Sequence, residues 1–267
     1  KAIIFLGVIV GAITFVYLYD LYQEIKDDID SVVNYNPKQS TQFFDKNGKL
    51  LANTFKDENR EYVNYDDIPA RVIEGLVAIE DTQFFEHFGV NPDAISRAVI
   101  KNIQSGGYSE GASTLTQQLI KVLLLSREKK IIRKVKEALL AIRLETVLTK
   151  EEILERYLNH VYFGHGYYGV KTAAKGYFKK NLYELTLKEI AILVGLPRAP
   201  SFYDPTKNLQ VSLARANQVI TRMHTLGWIN NEQFEESINE TPTIYNQTLT
   251  QNIAPYAIDY AVSELVN

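Results

Sequence analysis

The sequence predicts a mainly α fold: one N-terminal membrane-spanning helix, a small β-hairpin, and a domain of amphipathic helices. Three observations carry that reading. Residues Ala2 to Tyr19 hold no charge, apolar residues further on recur at helical spacing behind helix-start signals, and one alternating segment is centred on Asn47-Gly48. Composition sets the outer bounds. With 267 residues, 46% hydrophobic and 11% aromatic content and a formal net charge of -3, the chain can bury a core that offsets its ordering entropy, which excludes disorder. Its 14 Gly and 8 Pro follow no fixed period, which excludes a collagen-like chain. There is no cysteine, so disulfides, thiolate metal sites and a cysteine nucleophile are excluded together.

The uncharged run AIIFLGVIVGAITFVYLY, at about 1.5 Å per residue, spans roughly 27 Å, enough to cross the hydrocarbon of a bilayer. A signal peptide would have a shorter apolar region and a small-residue cleavage site. Phe15, Tyr17, Tyr19 and Tyr22 crowd the end of the run as an aromatic belt, and Asp20, Glu24, Asp27, Asp28 and Asp30 come next. An acidic flank of this kind predicts an exported C-terminal bulk with the N-terminus inside. We therefore expect an anchor over 1–20 and a juxtamembrane segment with the hairpin over 21–66. The hairpin lies in TQFFDKNGKLLANTF, where Asn-Gly favours the positive backbone angles of a tight turn.

From 67 to 240 the pattern is helical. Val72, Leu76 and Ile79 share one face behind Pro69, and further starts fall at Pro92, Ser113, Thr149 with Glu152, and Thr186 with Glu189. From 241 to 267 the chain opens with a polar, turn-rich stretch and reads as a linker.

Three segments carry chemistry. Glu80-Asp81 ends an apolar helix and runs into Phe84, Phe85, His87 and Gly89; a carboxylate against aromatic surface is desolvated, which suits a base working near neutrality. Gly106-Gly107 and Gly111 lead to a helix start at Ser113, with Gln117, Gln118 and Lys121 within about two turns; such an end can hold an anion, although the order is not that of a nucleotide-binding phosphate loop. Between Lys121 and Arg143, eight basic residues face only Glu128 and Glu137. At about 100° per residue, Lys129, Arg133, Lys136 and Glu137 share a face, beside the apolar stripe of Ile132, Val135, Leu139 and Ile142. A plain i,i+4 ion pair of Arg133 with Glu137 is the commoner reason for such spacing; the functional reading is that the cations serve a diphosphate leaving group and Glu137 orients them.

In this order, Glu80-Asp81 with Phe84, His87 and Gly89, the Ser113-Thr114-Leu115-Thr116-Gln117-Gln118 run with Lys121, Arg133-Lys134 with Glu137, Lys150 to Asn159, and Arg198-Ala199-Pro200 resemble the motifs of family 51 peptidoglycan glycosyltransferases. The chain is most similar to the glycosyltransferase part of class A penicillin-binding proteins. That resemblance implies a lysozyme-like, two-lobed glycosyltransferase domain over 67–240, with 241–267 leading toward a transpeptidase domain absent from these residues. It also implies polymerisation of lipid II into β-1,4-linked glycan with inversion and release of undecaprenyl diphosphate, on the outer face of the bacterial cytoplasmic membrane. By the same resemblance Glu80 is the general base and Glu137 the second catalytic carboxylate. Lys121, Arg133 and Lys136 contact the donor diphosphate, with Lys129 and Lys134 as weaker candidates, and Ser113, Gln117 and Gln118 line the cleft.

Expected partners are lipid II, the lipid-linked glycan chain, the bilayer, the inhibitor moenomycin and other cell-wall synthesis proteins, and not nucleic acid. The resemblance implies assistance by Mg2+ or Mn2+, with no protein ligands assignable. Ala112, Val122 and Asn91 depart from the family pattern, where Gly, Asn and Asp are usual. The Tyr- and Gly-rich stretch 162–169 is open to two readings, acceptor lining or core packing. A lysozyme-like glycan-cleaving enzyme and a membrane-anchored scaffold without catalysis remain as alternatives. Against cleavage, a hydrolase expelling a sugar oxygen needs a carboxylic acid and has no use for the cations.

Overall fold

The computed structural model describes residues 2–34, 41–48, 50–54, 59–107, 111–124, 130–246 and 264. It is mainly helical, as the sequence predicts. The chain divides into two compact units, Lys1–Asn36 with Gln83–Ile153, and Pro37–Thr82 with Leu154–Asn267.

In the first unit, α1 (Ala2–Ile25) is the uncharged run continued by about a turn and a half. Apolar side chains from Phe5 to Tyr19 are exposed, and burial begins at Leu21 and continues through Ile25 into Ile29 and Val32 of α2 (Asp28–Val33). An exposed apolar helix of this length, unpaired with protein, is what a membrane crossing requires. Below it, α2 packs on α5 (Leu115–Leu124) and α6 (Lys130–Leu144), α5 packs on α6, and the end of α1 packs on α6. Helix α4 (Pro92–Gln104) starts where the sequence predicts: Asn91 Oδ1 accepts from Ala94 N at 2.9 Å, while its amide donates to Gln83 at 3.2 Å. An Asp would cap equally well but lacks that second donor. Ile95, Val99, Ile100 and Ile103 leave an exposed apolar sector on α4.

In the second unit, α3 (Ala70–Glu80), α9 (Leu187–Gly195) and α10 (Leu209–Thr225) pack on one another, with α11 (Asn231–Asn239) against α10 and α9. The hairpin forms between β1 (Thr41–Phe44) and β2 (Leu50–Thr54), with a bulge between Phe43 and Phe44. Its turn is set by Asp45, whose side chain accepts from Asn47 N at 2.8 Å, and by Gly48 at φ +80°. A parallel pairing of β3 (Asn59–Arg60) with β4 (Tyr167–Tyr168) abuts α8 (Val170–Phe178).

The Tyr- and Gly-rich stretch packs as core: Phe163 and Tyr167 are buried, and the Tyr167 ring meets Tyr177 edge-on at 5.0 Å. A Cβ on Gly176 would stand 2.2 Å from that ring, so only glycine admits it. Helix α7 (Lys150–His160) opens with the predicted Thr149–Glu152 box and α9 with the Thr186–Glu189 box. Residues 241–246 continue without regular structure, and the rest of the expected linker, apart from residue 264, lies outside the described residues.

Candidate functional site

In the first unit the site is built around Glu137, whose side chain is fully buried on α6. A buried carboxylate needs compensating charge. Arg133 one turn earlier brings Nε to 3.2 Å of Glu137 Oε1, an ion pair without hydrogen-bond alignment, and Lys134 Nζ donates to Oε2. The same Lys134 ammonium donates to Ser113 Oγ at 2.8 Å. Ser113, Arg133, Lys134 and Glu137 therefore come together, and Lys134, placed second on sequence grounds, is the cation that links α6 to the segment before α5.

Several expectations change in detail. The cap of α5 is Thr114, one residue after the predicted Ser113: Thr114 Oγ1 accepts from Gln117 N at 3.1 Å, and Gln117 Oε1 accepts from Thr114 N at 3.0 Å. This reciprocal box engages the Oε1 of Gln117, which is buried, and leaves the Ser113 hydroxyl for Lys134. Gln118 is half-buried and Lys121 exposed one turn further along the same side of α5. Lys136 is buried on α6, and its Nζ stands 3.3 Å from Glu24 of α1. Adjacent helix residues diverge by about 100°, so the partner of Lys136 differs from that of Glu137. Lys129 lies outside the described residues. Ala112 is not among the described residues with positive φ, so its methyl imposes no backbone strain there. Val122 is exposed.

Other motif residues of this unit hold the loop after Gln83 in place. Lys150 Nζ donates to Glu145 and to the His87 carbonyl, both at 2.7 Å, and sits 4.4 Å from the centre of the Phe84 ring. Thr116 donates to the other Glu145 oxygen at 2.5 Å, and Thr114 Oγ1 to the Gly89 carbonyl at 2.6 Å. Gly89, at φ +77°, presses on the α6 backbone so closely that a Cβ would lie 2.5 Å from Ala141.

In the second unit Glu80 closes α3, its side chain nearly buried, and accepts from Arg215 Nη2 of α10 at 3.1 Å. The guanidinium lies 5.6 Å from the Tyr203 ring centre and also donates to Gln218 at 3.1 Å. Burial pulls Arg215 below the usual arginine range, opposed by the charge of Glu80 and reinforced by Arg198. Burial, with the Glu80 charge added, pushes the Tyr157 hydroxyl well up. Sequence reasoning supplies Glu80 with aromatic company only and misses Arg215. The signal was there: Arg215 occupies a buried register of α10 with Ser212 and Val219, where an arginine demands a buried acceptor.

Motif residues of α7 brace this unit. Glu155 accepts from the Tyr62 hydroxyl and from Tyr65 N at 2.6 Å, and Asn159 pairs both ways with the Val63 backbone at 2.8 and 2.7 Å. Among the described residues, no group of three or more His, Cys, Asp or Glu is arranged to hold a metal ion. Glu137 is already matched by two cations, so these residues do not form a ligand set for Mg2+ or Mn2+.

Comparison with known proteins gives a consistent result. A family model described as Transglycosylase matches residues 47–224. Penicillin-binding protein 1A of Aquifex aeolicus is 40% identical over 98% of this chain and 36% of its own length. Penicillin-binding protein 1A of Escherichia coli is 39% identical over 94% of this chain and 30% of its own length. Penicillin-binding protein 1F of Bacillus subtilis is 40% identical over 73% of this chain and 27% of its own length. A crystal structure of penicillin-binding protein 1A from Haemophilus influenzae aligns with a TM-score of 0.48 and 27% identity over 86% of this chain and 24% of that one. The chain thus spans about a third of the length of the curated relatives it matches.

Proposed function

Because this chain belongs to the transglycosylase family, we propose that it is a peptidoglycan glycosyltransferase that polymerises lipid II into β-1,4-linked glycan. In this reading the acceptor 4-hydroxyl attacks the anomeric carbon of the lipid-linked donor, and its proton passes to Glu80. The bond from that carbon to the diphosphate oxygen breaks with inversion, and undecaprenyl diphosphate leaves. A diphosphate departs without a proton but with charge to be stabilised, which is the work of Arg133, Lys134 and Lys121. Glu137 holds Arg133 and Lys134 in place, and Ser113 fixes Lys134 from the other side.

The observation that carries the proposal is the cationic company both carboxylates keep. Glu80 pairs with Arg215 at 3.1 Å and Glu137 with Arg133 and Lys134, and a glycan-cleaving enzyme expelling a sugar oxygen has no use for such a cluster. A carboxylate base and a cationic cradle for the leaving group suit transfer. We place the protein in the bacterial cytoplasmic membrane, crossing it once through α1, with the catalytic domain on the outer face. The exposed apolar sector of α4 agrees with a position at the bilayer surface. Moenomycin would compete at the donor cradle.

Glu80→Gln tests the reading against a non-catalytic scaffold. Loss of the base is expected to lower lipid II polymerisation by about 10²- to 10⁴-fold while vesicle binding persists; the unpaired Arg215 lowers the thermal midpoint, and adding Arg215→Met recovers the midpoint without recovering polymerisation. A Glu80→Gln protein polymerising at the normal rate would end the assignment.

A further inference from the structure

We propose that Lys136 is a positioning residue. Through Glu24 it locks the cationic helix α6 to the membrane anchor α1 and so sets the height of the diphosphate cradle above the hydrocarbon. The inference rests on the glycosyltransferase reading only for its functional consequence; the clamp itself is a property of the first unit.

The geometry is set by residues along α1. The exposed apolar stretch ends at Tyr19, and Leu21 is the first buried side chain. Glu24 lies five residues beyond Tyr19, about 7–8 Å along a helix of 1.5 Å rise. A bilayer of about 40–45 Å with a hydrocarbon core of about 30 Å has a headgroup layer of roughly 5–8 Å on each side. Glu24, and with it Lys136, therefore falls within the headgroup layer, toward its outer edge. Arg133, Lys134 and Glu137 lie within one turn of Lys136 on α6, so the cradle lies within about 5 Å of that level. A diphosphate joined to a prenyl tail carries its phosphates in the same layer.

Apolar packing alone does not fix this height. Leu21, Ile25, Ile29 and Val32 supply the area buried below the anchor, and the stabilisation they contribute is non-directional. The ion pair is directional. Lys136 is 9% exposed and Glu24 66% exposed, so a desolvated ammonium on α6 is met by a carboxylate that reaches it from α1. A pair this open contributes little to stability, which separates a register role from a structural one.

The test combines depth with activity on the full chain. Because the sequence has no cysteine, Ile132→Cys on the exposed side of α6 takes a single fluorophore. Its depth is read by quenching with lipids spin-labelled at the headgroup or along the acyl chain, in phosphatidylethanolamine–phosphatidylglycerol vesicles. The reference protein is expected to be quenched most by headgroup labels. Glu24→Lys is expected to shift that ratio and to raise the KM for long-tailed lipid II about three- to five-fold, with kcat and the rate on a short-tailed, water-soluble analogue unchanged. The charge swap Glu24→Lys with Lys136→Glu is expected to restore both readouts. Identical depth in all three proteins overturns the clamp, as does an equal loss on both substrates, which would place Lys136 in the cradle itself. A depth shift in a protein that polymerises neither substrate supports the clamp and overturns the glycosyltransferase reading instead.

Discussion

At the scale of single residues, the two carboxylates differ in how they are neutralised, and that difference governs how far the sequence reveals them. Glu137 meets its cations three and four residues earlier on one helix, so spacing alone exposes the cluster. Glu80 meets Arg215 across 135 residues, and no local pattern encodes that distance. The pairing of Lys136 with Glu24 is illegible for the same reason, because 112 residues separate them. The Glu80–Arg215 pair is nearly desolvated on both sides, and breaking such a pair leaves a buried charge. Arg215→Met is therefore expected to cost about 3 kcal/mol in urea unfolding. Adding Glu80→Gln to it should recover most of that stability and none of the polymerisation, since the stranded carboxylate is gone but so is the base. Strictly additive stability losses in the double variant would show that the two groups are not coupled.

At the scale of elements, helix starts are the most legible feature, because a capping box is contained within four residues. The boxes at Thr149 and Thr186 form as read, and the one at Thr114 is displaced by a single position because Ser113 and Thr114 are both competent caps and only tertiary bonding chooses between them. The short pairing of β3 with β4 is not legible, since two-residue strands far apart in sequence carry no periodicity. That pairing has a titratable lock. Arg60 of β3, almost wholly buried, is 2.8 Å from His160 Nδ1 at the end of α7 and lies 5.6 Å from the Tyr168 ring centre. Burial first, then the Arg60 charge, lowers the His160 pKa from 6.5 to about 4. A folded-state value below the unfolded one means that the unfolded chain takes up the proton first as pH falls. The lock is therefore intact above about 6.5 and is lost progressively between about 6.5 and 4. With a discount for partial exposure, the loss amounts to about 2 kcal/mol. His160→Gln keeps an acceptor for Arg60 at every pH, so its thermal midpoint should fall less between about pH 7 and pH 4.5 than that of the parent; parallel curves would remove His160 as the cause.

At the scale of the whole molecule, the anchor is two things in one helix, and the change of role falls at a definite residue. Up to Tyr19 the side chains of α1 belong to lipid, and from Leu21 they belong to the protein, where they cover α6 with the help of α2. The aromatic belt and the acidic flank predict an end of the anchor at residue 20, and burial changes at the same point. In sequence, residues 21–34 read only as a juxtamembrane segment, because Asp27, Asp28 and Asp30 mask the apolar spacing of Leu21, Ile25, Ile29 and Val32. Two truncations separate the roles. A chain starting at residue 21 should lose vesicle binding yet keep its thermal midpoint and its rate on a short-tailed lipid II analogue, because every buried contact of the first unit remains. A chain starting at residue 35 removes four buried side chains, each worth about 1.5–3 kcal/mol, and bares the surface of α5 and α6 that they covered. It should unfold at markedly lower temperature and lose polymerisation on the soluble analogue as well. If the two truncated chains melt together, the segment after Tyr19 is a tether only, and the first unit is complete without it.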